Sequence, residues 1–327
     1  MATETTMRAI VQDTYGSADV LRHGQVGRPE ISDKEVLVRV HAAGLDRGTW
    51  HLMTGKPYLL RLAMGLRGPR NPVPGRDVAG TVEAVGPAVS KFSVGDEVYG
   101  VAPGSFAEYA VTHEDKLARK PANLSFEQAA VVPISALTAL KALTVGRIEA
   151  GQHVLVTGAS GGVGSFAVQL AKAFGAEVTG VASTPKLDLV RALGADHLID
   201  YTRDDFAATP NRYDLIIDIA GNPSLSRLRR ALTATGTAVI TGGEEGGSLT
   251  GGMNRQLGAL IVSLFVRQRL TTFANKESGS DLERLTELIE AGKVTPSIDK
   301  TYPLDQVPDA MRHLDAGKAR GKVAITI

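Results

Sequence analysis

His153-Val154-Leu155-Val156-Thr157-Gly158-Ala159-Ser160-Gly161-Gly162-Val163-Gly164 runs from an apolar strand through a glycine turn into a helix. Val154 to Val156 carry the strand. The helix is read from apolar residues at Val163, Phe166, Ala167, Leu170, Ala171 and Phe174, the i, i+3, i+4, i+7 spacing of one buried face, with Gly175 to stop it. Glycines at such a turn let a pyrophosphate approach backbone N–H groups where the helix dipole favours an anion, and let the helix pack close to the strand. Ala159 replaces the first glycine of G-x-G-x-x-G, so the match rests on the strand-turn-helix context. Ser160, Gly161, Gly162, Val163 and Gly164 are therefore the expected phosphate cradle.

The residues beyond it continue the alternation. Glu177 to Ala182 reads as a second strand, and Thr184 and Pro185 open a helix with Leu187, Val190 and Leu193 on one face and Gly194 at its end. His197 to Asp200, Leu215 to Asp218 and Thr237 to Thr241 are further short strands, with a helix over Leu225 to Leu232 before the last. Strands alternating with helices predict a doubly wound parallel sheet. Ligands in such sheets bind beyond the strand carboxyl ends, which places Ser183, Ala220, Gly221, Asn222, Gly242 and Gly243 around a dinucleotide.

The choice of dinucleotide turns on the end of the second strand, where an NAD enzyme presents Asp or Glu to the ribose 2′-hydroxyl about 20 residues past the glycine turn. Here the chain has Ala182 and Ser183. With no carboxylate to repel a 2′-phosphate, Ser183, Lys186 and Tyr201 are the candidates to bind it, and NADPH is the expected cofactor. The competing view makes Lys186 a solvated helix residue and Tyr201 the edge of a core.

From Met7 to about Pro121 the texture changes to short alternating runs, such as Glu35-Val36-Leu37-Val38-Arg39-Val40 and Thr81-Val82-Glu83-Ala84-Val85, between Gly and Pro turns. That is a β-rich unit. Near the other end, a helix with Leu282, Leu285, Leu288 and Ile289, expected to open on a Ser280 to Glu283 capping box, stops near Gly292. Extended texture returns in Lys322-Val323-Ala324-Ile325-Thr326-Ile327, and this tail is expected to rejoin the first unit.

Gly75-Arg76-Asp77-Val78-Ala79-Gly80, Val94-Gly95-Asp96-Glu97-Val98, Phe106-Ala107-Glu108-Tyr109 and the glycine turn follow one another in an order that resembles the medium-chain dehydrogenase/reductase superfamily, and within it the zinc-free quinone oxidoreductase branch. The resemblance runs along nearly the whole chain. It implies an α/β protein with a GroES-like β-rich catalytic domain over 1–124, completed by 294–327, and a Rossmann NADP-binding domain over 125–293. It also implies an active site in the cleft between them, Thr138 near the nicotinamide, and Arg320 within reach of the cofactor as the tail returns. Surface charge is the competing view of the Arg320-Gly321-Lys322 group.

Zinc relatives in that superfamily take metal ligands from cysteines and a Gly-His-Glu motif. This chain has no cysteine, and Gly75-Arg76-Asp77 puts a guanidinium, which stays protonated, where the imidazole would be. Asp46 stands at the first cysteine's place, and His41, His51 and Asp77 make no metal spacing of their own. No metal is expected. Without a Lewis acid to hold an alkoxide, the expected chemistry is hydride transfer to an acceptor already electron-poor, a quinone or an α,β-unsaturated carbonyl.

Zinc-free relatives usually carry Asn where this chain has Asp46. A carboxylate repels a developing enolate unless it is protonated or paired, with Arg47 or Arg76 as the nearest cations in sequence, and a purely structural loop role competes with a catalytic one. His51 lies where relatives often place a Tyr and is a candidate proton donor to the reduced product; a packed or surface histidine is the alternative. Trp50 and Tyr58 are expected to line an apolar substrate pocket.

Leu257 to Val266 is almost wholly apolar but spans far fewer than the roughly 20 residues of a membrane helix. It reads as a buried helix, a wall of the substrate pocket or a subunit contact of a homodimer. Gly242-Gly243-Glu244-Glu245-Gly246-Gly247 before it reads as a mobile loop at the mouth of the cleft. A formal charge of +1 over 327 residues gives no reason to expect nucleic acid. No membrane partner is expected, and with no basic-then-apolar leader a cytoplasmic location is expected. The leading expectation is an NADPH-dependent quinone or enone reductase. A zinc-free alcohol or ketone dehydrogenase, and a non-catalytic NADPH-binding sensor or scaffold, stay open.

Overall fold

The computed structural model describes residues 6–208, 210, 212–242, 247–274 and 276–327. The chain packs as two units, Met1–Leu137 with Lys276–Gly292 and Pro296–Ile327, and Thr138–Asn275 with Lys293–Thr295.

The first unit begins with an antiparallel pair, β1 (Thr6–Val11) and β2 (Arg22–Gly27). Its main sheet is organised by β3 (Glu35–Leu45), where Val36, Val38 and Val40 face a core with Val78, Val82, Val98 and Leu117. The short helices α1 (Arg47–Thr54) and α2 (Arg61–Met64) follow. β4 (Asp77–Val85) returns antiparallel to β3, and β5 (Glu97–Val101), β6 (Tyr109–His113) and β7 (Leu117–Arg119) extend the sheet, β6 pairing with β3 and β7 with β5. α3 (Phe126–Ala130) opens on a complete capping box between Ser125 and Gln128. The division between units falls inside α4 (Pro133–Gly146), later than the expected 124/125 boundary.

The second unit is a six-stranded, all-parallel sheet. β8 (His153–Thr157) leads through the glycine turn into α5 (Gly162–Ala173); β9 (Glu177–Ala182), α6 (Leu187–Ala192), β10 (His197–Asp200), β11 (Tyr213–Asp218), α7 (Leu225–Ala231), β12 (Leu232–Ile240), α8 (Met253–Ser263) and β13 (Arg269–Thr271) follow. The order β10-β9-β8-β11-β12-β13 reverses direction between β8 and β11, the doubly wound pattern expected from the alternation. Apolar strands buried on both faces, such as Val154-Leu155-Val156 and Leu215-Ile216-Ile217, account for their unbroken hydrophobic texture.

The chain then returns to the first unit through α9 (Gly279–Glu290), β14 (Ile298–Pro303), α10 (Val307–Asp315) and β15 (Lys322–Thr326). β15 lies antiparallel on β3, with Val323 opposite Leu45. α9 was expected inside the Rossmann segment 125–293. It packs instead with the first unit, where the Tyr99 hydroxyl donates to the Leu282 carbonyl at 2.8 Å and the Asn123 amide donates to the Ile289 carbonyl at 2.9 Å. Its N-cap is Ser278, whose hydroxyl accepts from Asp281 N–H, and not the expected Ser280.

Candidate active site

In the second unit, the turn from β8 to α5 has the features of an anion cradle. Gly158 sits at φ +65°, and a Cβ on Gly164 would drive into the Gly158 carbonyl, so α5 rides against the turn more closely than any side chain allows. The N-cap of α5 is Gly161, and no side chain caps that end. A Cβ on Gly161 would meet only the Gly158 carbonyl, at 3.4 Å, so this glycine leaves open space beside the first-turn N–H groups. The N–H of Ala159 is held by the Val181 carbonyl at 3.0 Å, which ties the turn to the end of β9. Ser160 is buried beside it.

Ser183, Lys186 and Tyr201 come together because β9 and β10 pair in parallel, with Ala182 opposite Asp200. Lys186 N–H donates to the Ser183 carbonyl at 2.9 Å, and Tyr201 N–H to the Ala182 carbonyl at 3.2 Å. Tyr201 is 63% exposed, so it is no core edge. The sequence reading overlooked Asp200, a carboxylate at the end of β10. Thr184 and Thr202 both donate hydroxyl hydrogen bonds to it, and these hold its carboxyl below the usual range. Its position was hidden because the strand pairing, not the spacing, brings it beside β9.

A buried hydrogen-bonded cluster closes the ends of β8 and β11. Thr157 Oγ1 donates to Asp218 Oδ1 at 3.1 Å and accepts from Ile219 N–H at 2.9 Å, while Arg255 of α8 pairs with Asp218 Oδ2. Burial raises the Asp218 carboxyl to about 6, against the opposing pull of Arg255. Asn222 Oδ1 is buried with no donor, one unmet acceptor at the strand ends. A Cβ on Gly242 would overlap the Ile219 carbonyl, so the chain after β12 lies against this cluster. Of the expected mobile loop, residues 243–246 lie outside the described residues. Thr138 is half-buried on α4.

In the first unit, Asp46 is the N-cap of α1. Its Oδ1 accepts from Thr49 N–H at 2.8 Å, and its Oδ2 is buried with no hydrogen-bond partner. The expected partners go elsewhere: Arg47 pairs with Asp315 at 3.7 Å, and Arg76 pairs with Glu277. His51 Nδ1 lies 2.6 Å from the Lys56 carbonyl, so the proton sits on Nδ1 and Nε2 is left for other contacts. Trp50 is half-buried against the core of Ile10, Leu45, Met53 and Phe106, edge-on to His51, with Arg47 over its ring. Tyr58 is exposed and stacked with Arg61.

The same unit holds an ion pair that the sequence reading did not foresee. Lys322 Nζ lies 3.4 Å from Asp77 Oδ2 and 3.0 Å from Ser135 Oγ, and Asp77 Oδ1 accepts from Ile134 N–H at 2.8 Å. Burial raises the Asp77 carboxyl to about 7 against the opposing pull of Lys322, and the charge of Asp46 pushes the same way as burial. Lys322 is thus not surface charge; Arg320, two residues earlier, is half-buried. A Cβ on Gly44 would strike both Asp77 and the Ala130 carbonyl, so this glycine makes room for the carboxylate.

Among the described residues no group of three or more His, Cys, Asp or Glu stands where it could hold a metal ion. The donor set does not fit zinc, since the chain has no cysteine and Arg76 stands in the motif position. Nor is any helix among the described residues long and apolar enough to cross a membrane.

An alcohol dehydrogenase GroES-like domain matches residues 32–122, and a zinc-binding dehydrogenase model matches residues 193–325. The chain is 36% identical over 334 residues to 2-methylene-furan-3-one reductase of Solanum lycopersicum, covering 98% of this chain and 79% of that protein. That similarity, carried on this fold, decides the family. The chain belongs to the medium-chain dehydrogenase/reductase superfamily, as a quinone oxidoreductase-like member. This member is also 36% identical, over the same shares, to the chloroplastic NADPH-dependent alkenal/one oxidoreductase of Arabidopsis thaliana. Its fold matches the quinone oxidoreductase of Coxiella burnetii with a TM-score of 0.86 at 29% identity, covering 99% of this chain and 100% of that one. The superfamily assignment makes it an oxidoreductase of the medium-chain type and supports a nicotinamide cofactor.

Proposed function

We propose that this oxidoreductase uses NADPH to reduce a quinone or an α,β-unsaturated carbonyl, and that it does so without zinc. The observation that carries the reading is the pairing of an uncapped α5 N-terminus with a β9 end that offers Ser183, Lys186 and Tyr201 and no carboxylate of its own. Asp200, at the end of the neighbouring β10, is occupied by hydrogen bonds from Thr184 and Thr202. The names of the two 36% identical relatives support the enone class.

When bound, NADPH supplies the hydride from its reduced nicotinamide. The orphan first-turn N–H groups of Gly162, Val163 and Gly164 would bind the pyrophosphate, with Ser160 and Gly161 forming the turn, where Gly161 N–H donates to the Gly158 carbonyl at 3.0 Å; Ser183, Lys186 and Tyr201 would take the 2′-phosphate, and Thr138, Gly242 and Arg320 would contact the rest of the dinucleotide. Trp50 and Tyr58 offer apolar and aromatic surface to the acceptor. His51, held through Nδ1, delivers a proton from Nε2 to the product when the ring is charged. Asp46 Oδ2 has no donor, so it suits a hydroxyl of a bound ligand and not the oxygen of an enolate.

We further propose that a second copy covers α8, since Leu264 and Phe265 at its end are 80% and 82% exposed and β13 beside it is an open sheet edge. Steady-state kinetics with NADPH and NADH against quinones, 2-alkenals and simple alcohols, in chelator, test the main reading. NADPH-driven reduction of a quinone or alkenal is the expected result. A higher kcat/KM with NADH, a divalent-cation requirement, or tight NADPH binding with no turnover of any acceptor would each overturn it.

A further inference from the structure

Between Asp46 and Asp77 the chain carries Arg47, Lys56, Arg61, Arg67, Arg70 and Arg76 and not one Asp or Glu, in a protein whose formal charge is only +1. The fold uses some of these cations. Arg47 and Arg76 go to Asp315 and Glu277, and Arg61 donates to the Gly55 carbonyl at 2.9 Å with its guanidinium over the rings of Tyr15 and Tyr58. Lys56, Arg67 and Arg70 stay exposed, with no acid in their own stretch to neutralise them.

Interleaved with them is apolar surface. Leu62 and Leu66 are 67% and 69% exposed, and Leu59 is exposed beside them. One exposed leucine is ordinary, but a run of them set among unneutralised cations has the composition of an interfacial anchor. The segment is braced in that pose. The Tyr15 hydroxyl donates to the Gly65 carbonyl at 2.7 Å, Arg70 N–H donates to the Met64 carbonyl at 2.9 Å, and the Lys56 carbonyl is bound to His51.

We propose that residues 56–70 form a docking face for the surface of an anionic lipid bilayer, with Leu59, Leu62 and Leu66 entering the headgroup boundary and Lys56, Arg67 and Arg70 meeting lipid phosphates and carboxylates. Charge complementarity selects this occupant. A second copy docked face to face would bring the same cations together, and like charges at close range repel. The docking is peripheral, so it is compatible with the lack of a spanning helix among the described residues. Apolar quinones and long alkenals partition into bilayers, and docking would bring the enzyme to such acceptors, although the lipid contact itself does not depend on the reaction.

Cosedimentation of the full chain with vesicles of phosphatidylcholine alone, and of phosphatidylcholine with phosphatidylserine, tests the proposal. Binding to the phosphatidylserine vesicles, weakening as salt rises, is the expected result. K56E/R67E/R70E should lower the partition on the order of a hundredfold, at about fivefold or more per cation. L62S/L66S should lower it by at least about tenfold. Both variants should keep the wild-type Tm. Equal binding to the two vesicle types, no binding to either, or variants that sediment as the parent would overturn the proposal. So would a concentration-dependent dimer abolished by L62S/L66S in place of lipid binding.

Discussion

Lys322 and Asp77 meet in the interior of the first unit, 3.4 Å apart and 2% and 0% exposed at their side chains. One comes from the last strand and the other from the middle of the sheet, and Ser135 at the start of α4 completes the contact. Taking one member of such a pair away leaves an uncompensated charge in the core. Lys322→Ala should therefore lower the unfolding free energy by about 3 kcal/mol, read as a lower midpoint in urea with an unchanged slope. A midpoint equal to that of the parent would show that water reaches the pair.

The raised carboxyls make stability depend on pH in a stated direction. Asp77 and Asp218 hold their protons more tightly in the fold than in the open chain, up to about 7 and about 6 against an ordinary 3.8. Between those values the native state binds more protons than the unfolded state, so the contribution of each group is full below about pH 4 and falls as pH rises toward its native value. Asp77→Asn should flatten the decline of Tm between about pH 4 and pH 7. Parallel Tm profiles for variant and parent would contradict this.

Two glycines of the turn separate folding from binding. A Cβ at Gly164 has nowhere to go, so Gly164→Ala should destabilise the protein by about 1–3 kcal/mol. Gly161→Ala meets only one carbonyl, at 3.4 Å, and should keep the Tm while weakening NADPH by about tenfold, a cost of about 1.4 kcal/mol, because the methyl intrudes on the pyrophosphate. Calorimetry with NADPH and thermal melts read the two effects apart. Unchanged NADPH affinity in Gly161→Ala would move the pyrophosphate off this turn.

Lys186→Ala should lower kcat/KM with NADPH by about tenfold or more and leave NADH turnover nearly unchanged, since only the phosphorylated dinucleotide meets the ammonium. An equal fall with both cofactors would mean that Lys186 supports the fold of α6.

Asp46 and His51 test the chemistry. Asn is as good an N-cap as Asp, so Asp46→Asn should keep the Tm, and a change in kcat would then come from the unpartnered oxygen. His51→Gln should lower kcat by about a hundredfold with little change in KM if its proton transfer is in the slow step. Unchanged kinetics in both variants would remove this helix from the reaction.

The second unit was legible because its signals are local. The strand, the turn glycines and the helix face around Gly158 sit within one stretch of chain, and buried parallel strands announce themselves as unbroken apolar runs. The interior of the first unit was not legible in the same way. Asp77 and Lys322 are 245 residues apart, and nothing in the spacing of either says that β15 lies against β3 with its lysine turned inward. The same holds for Asp200, which strand pairing sets beside Ser183, and for α9, whose amphipathic pattern says that one face is buried but not against which unit. Sequence nearness offers Asp46 only a loop role beside Arg47 or Arg76, whereas the fold makes it the N-cap of α1 and gives those arginines to Asp315 and Glu277.

The pairing of β15 with β3 also sets an order of events during synthesis. The edge of β3 and the carboxyl of Asp77 leave the ribosome long before Lys322 does, and the whole Rossmann unit is made in between. Domains generally fold as units during synthesis, so the Rossmann unit is expected to fold first, whereas β3 lacks β15 and Asp77 lacks Lys322 until residues 322–326 emerge. A ribosome stalled short of Lys322 would therefore hold a chain whose first sheet still lacks its β15 strand beside β3.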